Sequence, residues 1–408
     1  MESTYFRKGF GLKDAIQGRL ASDYHSGVVD LLRASDYRLA VGPLTFRLAR
    51  EFGFCYGVDR AVDYAYESRA KFPDRRLYLV GEIIHNPHVN EKLRQMGIRV
   101  LRHGADAAFD FAELTPADVV ILPAFGVTIG DFERLRAVGC VMVDTTCGSV
   151  LNVWKRVESY ARDGFTAIIH GKYYHEETKA TASQVTKYPG GRHLVVLNMA
   201  EARTVCDFIE GRGEAAALAE RFGGRASPGF DFDRDLVKVG LANQTTMLSG
   251  ESLAIADEFR QSMIRRYGDS ALPQHFRTFD TICSATQERQ DAIHQLVEEP
   301  LDVMVIVGGY NSSNTCHLAA LVHSKGIRTY HIEDADGIDA ASRSIRHQPV
   351  GSKQERVDRD WLGGAAVVGV SAGASTPNNK VGETLARIAE TAGAGERLRE
   401  VIAAAGAQ

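Results

Sequence analysis

Residues 141–161 read VMVDTTCGSVLNVWKRVESYA. A short apolar run, Val141 to Val143, leads to Cys147, and behind the cysteine Val150, Val153, Trp154 and Val157 recur on one face of a helical pattern. The same order stands at residues 53–66, GFCYGVDRAVDYAY, where Val58, Ala61, Val62, Ala65 and Tyr66 fall at i, i+3, i+4, i+7 and i+8 behind Cys55. It stands again at residues 279–299, FDTICSATQERQDAIHQLVEE, where Ala292, Ile293, Leu296 and Val297 follow Cys283. Three times, a cysteine sits where a strand hands over to a helix. The spacings are 92 residues from Cys55 to Cys147 and 136 from Cys147 to Cys283. Subtracting an insertion of about 30–40 residues makes them nearly equal, the mark of an internal repeat. Three similar α/β modules, each offering one thiol, is the economical reading.

Further short apolar runs at residues 77–80, 119–122, 167–170, 194–197, 303–307 and 366–370 alternate with helical patterns. Such alternation predicts parallel sheets covered by helices. The expected fold is α/β, with three similar domains over residues 45–147, 148–279 and 280–390 in a pseudo-threefold arrangement. Residues 1–44 are mixed and polar and read as an N-terminal extension packed on the main body. Residues 208–235 are Gly-rich and charged and read as a surface insertion or linker within the second domain. Residues 351–360 read as a loop, and 391–408 as a C-terminal tail whose end, AAAGAQ, should fray.

The 408 residues are 44% hydrophobic and 25% charged, enough apolar material for several cores. The net charge of −4 argues against a dedicated nucleic-acid binder. No run approaches the apolar length of a membrane span. The first residues lack the apolar core of a signal peptide, and Glu2, Asp14, Asp23, Asp30 and Asp36 are unlike a transit peptide. The six cysteines form no CxxC pair and no disulfide framework. A reduced, cytoplasmic chain is expected, with no membrane and no nucleic-acid partner.

A thiol near a helix N-terminus has its thiolate stabilised by the positive end of the helix dipole. Thiolates are the ligands of iron–sulfur clusters. Three of them meeting on a pseudo-threefold axis would hold a [4Fe–4S] cluster with one iron open to substrate. Buried core thiols are the alternative on spacing alone. For Cys140, Cys206 and Cys316 the core reading is favoured.

Polar clusters also follow the strands. They include Glu82 to Asn86, with His85; His170 to Glu177, with His175; Gly308 to Asn314; and Ser371 to Ser375. In open α/β sheets ligands bind outside the carboxyl ends of strands. Ser and Asn there cap the next helix, and its N–H groups hold an anion. Plain capping explains any one cluster; four in one chain point to a phosphate. There is no GxGxxG and no GxxxxGK[ST], so nucleotide binding has little support. Glu177 near a cluster is suited to supply protons. The NQTT run, residues 243–246, offers hydroxyls for a substrate alcohol.

Taken in order, GFCYGVDRA, EIIHNPHVNEKL, DTTCGSV, HEETKAT, NQTT, DTICSATQERQ, GGYNSSNT and SAGASTP resemble the 4-hydroxy-3-methylbut-2-enyl diphosphate reductase family, also called LytB or IspH, over about residues 45–390. The resemblance implies three α/β domains around one [4Fe–4S] cluster per chain, with Cys55, Cys147 and Cys283 as ligands and one open iron. It implies reductive removal of the hydroxyl of an allylic diphosphate with two electrons and protons. The products are isopentenyl and dimethylallyl diphosphate, at the last step of the non-mevalonate (MEP) isoprenoid route. It implies that His85, His175, Ser312, Asn314 and Ser375 hold the diphosphate, with Ser313 a further contact. Glu177 falls at the proton-relay carboxylate and Thr245 beside the substrate hydroxyl, with Gln244 and Asn311 in support. The electron donor implied is ferredoxin or flavodoxin; the oligomeric state stays open, a homodimer included.

One departure stands at residues 123–126, PAFG, where many members carry a histidine in place of Phe125. One diphosphate or proton-relay contact is thereby missing, and Lys172 or a nearby histidine is the expected compensation. This form, with residues 1–44 and the 208–235 segment, resembles the cyanobacterial and plastid branch. Competing readings are another three-module [4Fe–4S] enzyme with an open iron, such as a quinolinate synthase, and a non-catalytic iron–sulfur redox sensor. A dicarboxylate substrate would normally recruit Arg, whereas the clusters here are His, Ser and Asn.

Overall fold

Every residue of Leu77–Val80, Val119–Leu122 and Val141–Asp144 is buried. Strands buried on both faces read as continuous apolar runs because helices cover the sheet above and below. The structure is a computed structural model and describes residues 4–104, 108–279 and 281–406. Asp280 and the last two residues of the tail lie outside the described residues.

Among the described residues, a five-stranded parallel sheet runs Tyr5–Phe6, Val141–Asp144, Val119–Leu122, Leu77–Val80, Ile98–Leu101. A second parallel sheet runs Phe276–Thr278, Val239–Asn243, Thr166–His170, His193–Val196. A third runs Thr329–Ile332, Val303–Val307, Val367–Ala372, Leu44–Leu48, with Arg38–Val41 added antiparallel at its edge.

The three sheets share one plan. Their first strands are Leu77–Val80, Thr166–His170 and Val303–Val307. Each is flanked on one side by its second strand and on the other by its third, with the fourth beyond. First and third strands are therefore neighbours joined by connections that leave in opposite directions. That is the switch point at which the loops after the strands open a crevice.

The chain forms two compact units. One holds Phe72–Ile83 and Gly97–Cys283 with the start of the chain up to Lys8, and so the first two sheets. The other holds Gly9–Lys71, Ile84–Met96 and the chain from Ser284 onward, and so the third.

The third sheet draws on a part of the chain outside residues 280–390. The fourth strand of the third sheet, Leu44–Leu48, comes from the head of the chain, not from 280–390, and pairs with Val367–Ala372. Its alternating pattern puts Leu44, Phe46 and Leu48 in the core. The described residues before Leu44 are correspondingly part of the fold. Tyr5–Phe6 extends the first sheet, Arg38–Val41 extends the third, and helix Gly27–Ala34 buries Val28, Val29 and Leu32 in the third-sheet core.

The 208–235 segment is not a bare linker either. Its helix Ala215–Arg221 and the turn at Phe232–Asp235 send Leu218, Phe222 and Phe232 into the second-sheet core. Within 351–360, Arg356–Arg359 forms an antiparallel strand against Ser344–His347. The tail forms helix Gly395–Gly406 and is anchored by buried Leu398.

Candidate active site

Each cysteine of the repeat opens the helix that leads from one sheet to the next. Cys55 precedes helix Tyr56–Lys71, Cys147 precedes Gly148–Arg162, and Cys283 precedes Ser284–Leu296. Each follows the fourth strand of its sheet. All three are partly exposed, whereas Cys140 and Cys206 are buried. Burial pushes the Cys140 thiol up to about 11 and holds that of Cys206 well above its ordinary range, so both stay protonated. Cys316 departs from the core reading. It is half-buried in the first turn of helix Ser313–Ser324, and its Sγ–H donates to the carbonyl of Tyr310 at 3.2 Å.

The backbone pins the three cysteines in one manner. The amide of Cys55 donates to the carbonyl of Ala374 at 3.1 Å, that of Cys147 to Ala124 at 2.8 Å, and that of Cys283 to Thr245 at 3.4 Å. Every acceptor lies on the loop after the third strand of the same sheet. PAFG, NQTT and GAST are thus equivalent loops, a relation their sequences do not show.

The loops after the first strands are equivalent as well. Each ends in a side chain that caps the next helix. Asn86 Oδ1 accepts from the amide of Val89 at 3.1 Å, His175 Nδ1 from Glu177 at 3.1 Å, and Ser312 Oγ from Thr315 at 3.4 Å. Because His175 Nδ1 accepts, the proton of the neutral imidazole sits on Nε2.

In the second unit the loops pack too closely for side chains at two glycines. A Cβ on Gly309 would come within 2.7 Å of the carbonyl of His85, and one on Gly373 would overlap Thr315 Oγ1. Ser375 Oγ donates to the carbonyl of His85 at 3.2 Å. Asn314 Oδ1 accepts from the amide of Ala374 at 3.0 Å, so Asn314 is tied through Ala374 to the amide of Cys55. Ser313 Oγ and Asn314 Nδ2 are buried and find no partner among the described residues. Unpaired buried donors at the start of a 12-residue helix suit an anion. Asn311 is exposed in the preceding turn.

In the first unit Glu177 is 3% exposed, and its Oε1 accepts from the amide of Thr245 at 2.6 Å. The carbonyl of Thr245 takes the amide of Cys283, so the backbone of one residue joins the carboxylate to a cysteine. Gln244 braces the same corner. Its Oε1 accepts from the amide of Lys172 at 3.0 Å and from Thr178 Oγ1 at 3.2 Å, while Nε2 donates to Thr246 Oγ1 at 2.9 Å. Phe125 is buried edge-on to the His175 ring, centroids 6.2 Å apart. Phe125, at the position where a histidine was expected, therefore packs against His175.

Sequence reading missed Arg289. It lies buried on helix Ser284–Leu296, and its guanidinium binds the carbonyls of Gly53 and Phe54, just before Cys55. An arginine on the buried face of a helical pattern was the available signal.

The profile of the LytB protein family matches residues 46–389. A relative from Gloeobacter violaceus named 4-hydroxy-3-methylbut-2-enyl diphosphate reductase is 51% identical over 396 residues, 96% of this chain and 94% of the relative. A relative of the same name from Thermosynechococcus vestitus is 49% identical over 385 residues, 94% of each chain. A solved structure of (E)-4-hydroxy-3-methyl-but-2-enyl diphosphate reductase, described as the terminal enzyme of the non-mevalonate pathway, is similar at 28% identity and a TM-score of 0.52. The match covers 85% of this chain and 99% of that one. The reductase structure from Plasmodium falciparum shares the fold, with a TM-score of 0.62 at 19% identity over 84% of this chain and 87% of that one.

Proposed function

The chain belongs to the LytB protein family, and from that premise we propose that it reduces (E)-4-hydroxy-3-methylbut-2-enyl diphosphate to isopentenyl and dimethylallyl diphosphate. The C–O bond to the hydroxyl breaks, two electrons and two protons enter, and water leaves. The reading makes the protein an iron–sulfur oxidoreductase with one [4Fe–4S] cluster held by Cys55, Cys147 and Cys283. The observation that carries it is the like setting of those cysteines, each partly exposed at a helix N-terminus with its amide pinned in the same way. When bound, the cluster supplies the electrons and, at the iron without a cysteine, a Lewis acid for the hydroxyl.

The protein's own residues do the rest. Ser312, Ser313, Asn314, Ser375 and His85 bind the diphosphate, and the unpaired donors of Ser313 and Asn314 support this assignment. His175 adds its Nε2–H, and Phe125 holds that ring in orientation. Glu177 gives a proton to the departing hydroxyl, beside Thr245. The electrons come from a ferredoxin or flavodoxin, and the enzyme acts in the cytoplasm. Among the described residues no helix is long and apolar enough to cross a membrane.

Anaerobic reconstitution with iron and sulfide tests the ligand set. Cys55→Ser, Cys147→Ser and Cys283→Ser should each lower iron and sulfide content, while Cys206→Ser keeps the wild-type value. The reverse pattern would refute the assignment.

A further inference from the structure

Arg289 is only 3% exposed. Its Nη2 donates to the carbonyls of Gly53 at 2.6 Å and Phe54 at 3.2 Å, and Nη1 to that of Ala285 at 2.9 Å. Its Nε has no partner among the described residues. Asp59, whose carboxyl burial and Asp63 hold above its usual range, feels this charge only through space. A buried guanidinium whose hydrogen bonds go to neutral carbonyls is costly, and a nearby anion offsets that cost.

The segment it grips is fixed from the other side too. Gly53 has φ +73°, and a Cβ there would meet Asn378 Oδ1 at 3.1 Å and the carbonyl of Thr376 at 3.2 Å. The amide of Cys55 is held by Ala374.

We infer that Arg289 is a positioning residue for Cys55, clamping the two carbonyls before the ligand and setting a positive charge beside it. The inference rests on the reading of Cys55 as a cluster ligand and adds how that ligand is held and tuned. Positive charge near an iron–sulfur centre favours its reduced, more negative form and raises the reduction potential.

The test uses the full chain, reconstituted anaerobically, with Arg289→Met and Arg289→Lys. Iron and sulfide content is measured, and the midpoint potential is followed by electron paramagnetic resonance. Arg289→Met should lose cluster content and shift the potential to more negative values. Arg289→Lys, which keeps the charge but not the two-carbonyl fork, should bring the potential back towards wild type. If Arg289→Met does not fold by circular dichroism, Arg289→Gln takes its place as the neutral variant. An unchanged potential in the neutral variant overturns the inference. Cys55→Ser, run alongside, separates the two claims. Wild-type cluster content in that variant refutes the ligand reading itself, whatever the Arg289 variants show.

Discussion

Glu177 stands almost out of water with one carboxylate oxygen on the amide of Thr245. Glutamine at this position keeps an acceptor for that amide and removes the transferable proton. Glu177→Gln should therefore leave the cluster spectrum intact and cut turnover by about 10²–10⁴-fold, the usual worth of a positioned acid. Near-wild-type turnover at full cluster loading would remove the role. At this scale the sequence was most legible where chemistry is carried by residue type. Cysteines before helical patterns and a carboxylate two residues from a histidine can be read off directly. Phe125 could not be. Its ring packs on His175, a contact between loops 50 residues apart that no local pattern marks. Arg289 stayed hidden for a like reason. Its partners are carbonyls more than 230 residues away, and no side-chain pattern marks them.

The elements that position the site are the loops after the first and third strands, and one is secured by a histidine. His331, on strand Thr329–Ile332, meets the carbonyl of Gly308 through Nε2 at 2.9 Å, at the root of the GGYNSSNT loop. Burial lowers its pKa to about 4. The folded state thus prefers the neutral ring, whose Nε2–H donates to Gly308. This stability is full above the unfolded value near 6.5 and is lost as pH falls through about 4. The loss is up to about 3 kcal/mol. Urea unfolding between pH 7 and 4 should show it, and His331→Gln, which keeps an N–H donor without titrating, should flatten the slope. A residual slope is expected from His193, likewise lowered to about 4 by burial. An identical slope in His331→Gln would refute the assignment. Buried strands of four or more apolar residues were readable as elements. Tyr5–Phe6, Phe276–Thr278 and Leu44–Leu48 were not, because they are short or half-polar and are made strands by their partners. Leu218, Phe222 and Phe232 vanished among charges and glycines, yet Leu218 and Phe222 stand at helical spacing.

At the scale of the molecule, three sheets among the described residues repeat one strand order, with a cysteine after every fourth strand and a helix-capping loop after every first. The repeat was visible in sequence, but its phase was not. The third sheet is completed by the head of the chain, so the expected extension is structural. Val28, Val29, Leu32, Leu39 and Val41 lie in that core. At about 1.5–3 kcal/mol each they contribute on the order of 10 kcal/mol, as much as the entire stability of a typical domain. Deleting residues 1–43 should abolish the cooperative unfolding transition of the third-sheet unit; a native-like transition in the truncated chain would contradict this.

The most direct test of function is anaerobic turnover. The chain is reconstituted with iron and sulfide, its cluster loading measured, and (E)-4-hydroxy-3-methylbut-2-enyl diphosphate supplied with a strong chemical reductant. Isopentenyl and dimethylallyl diphosphate should form together. A well-loaded sample that consumes no substrate would contradict the proposed reaction.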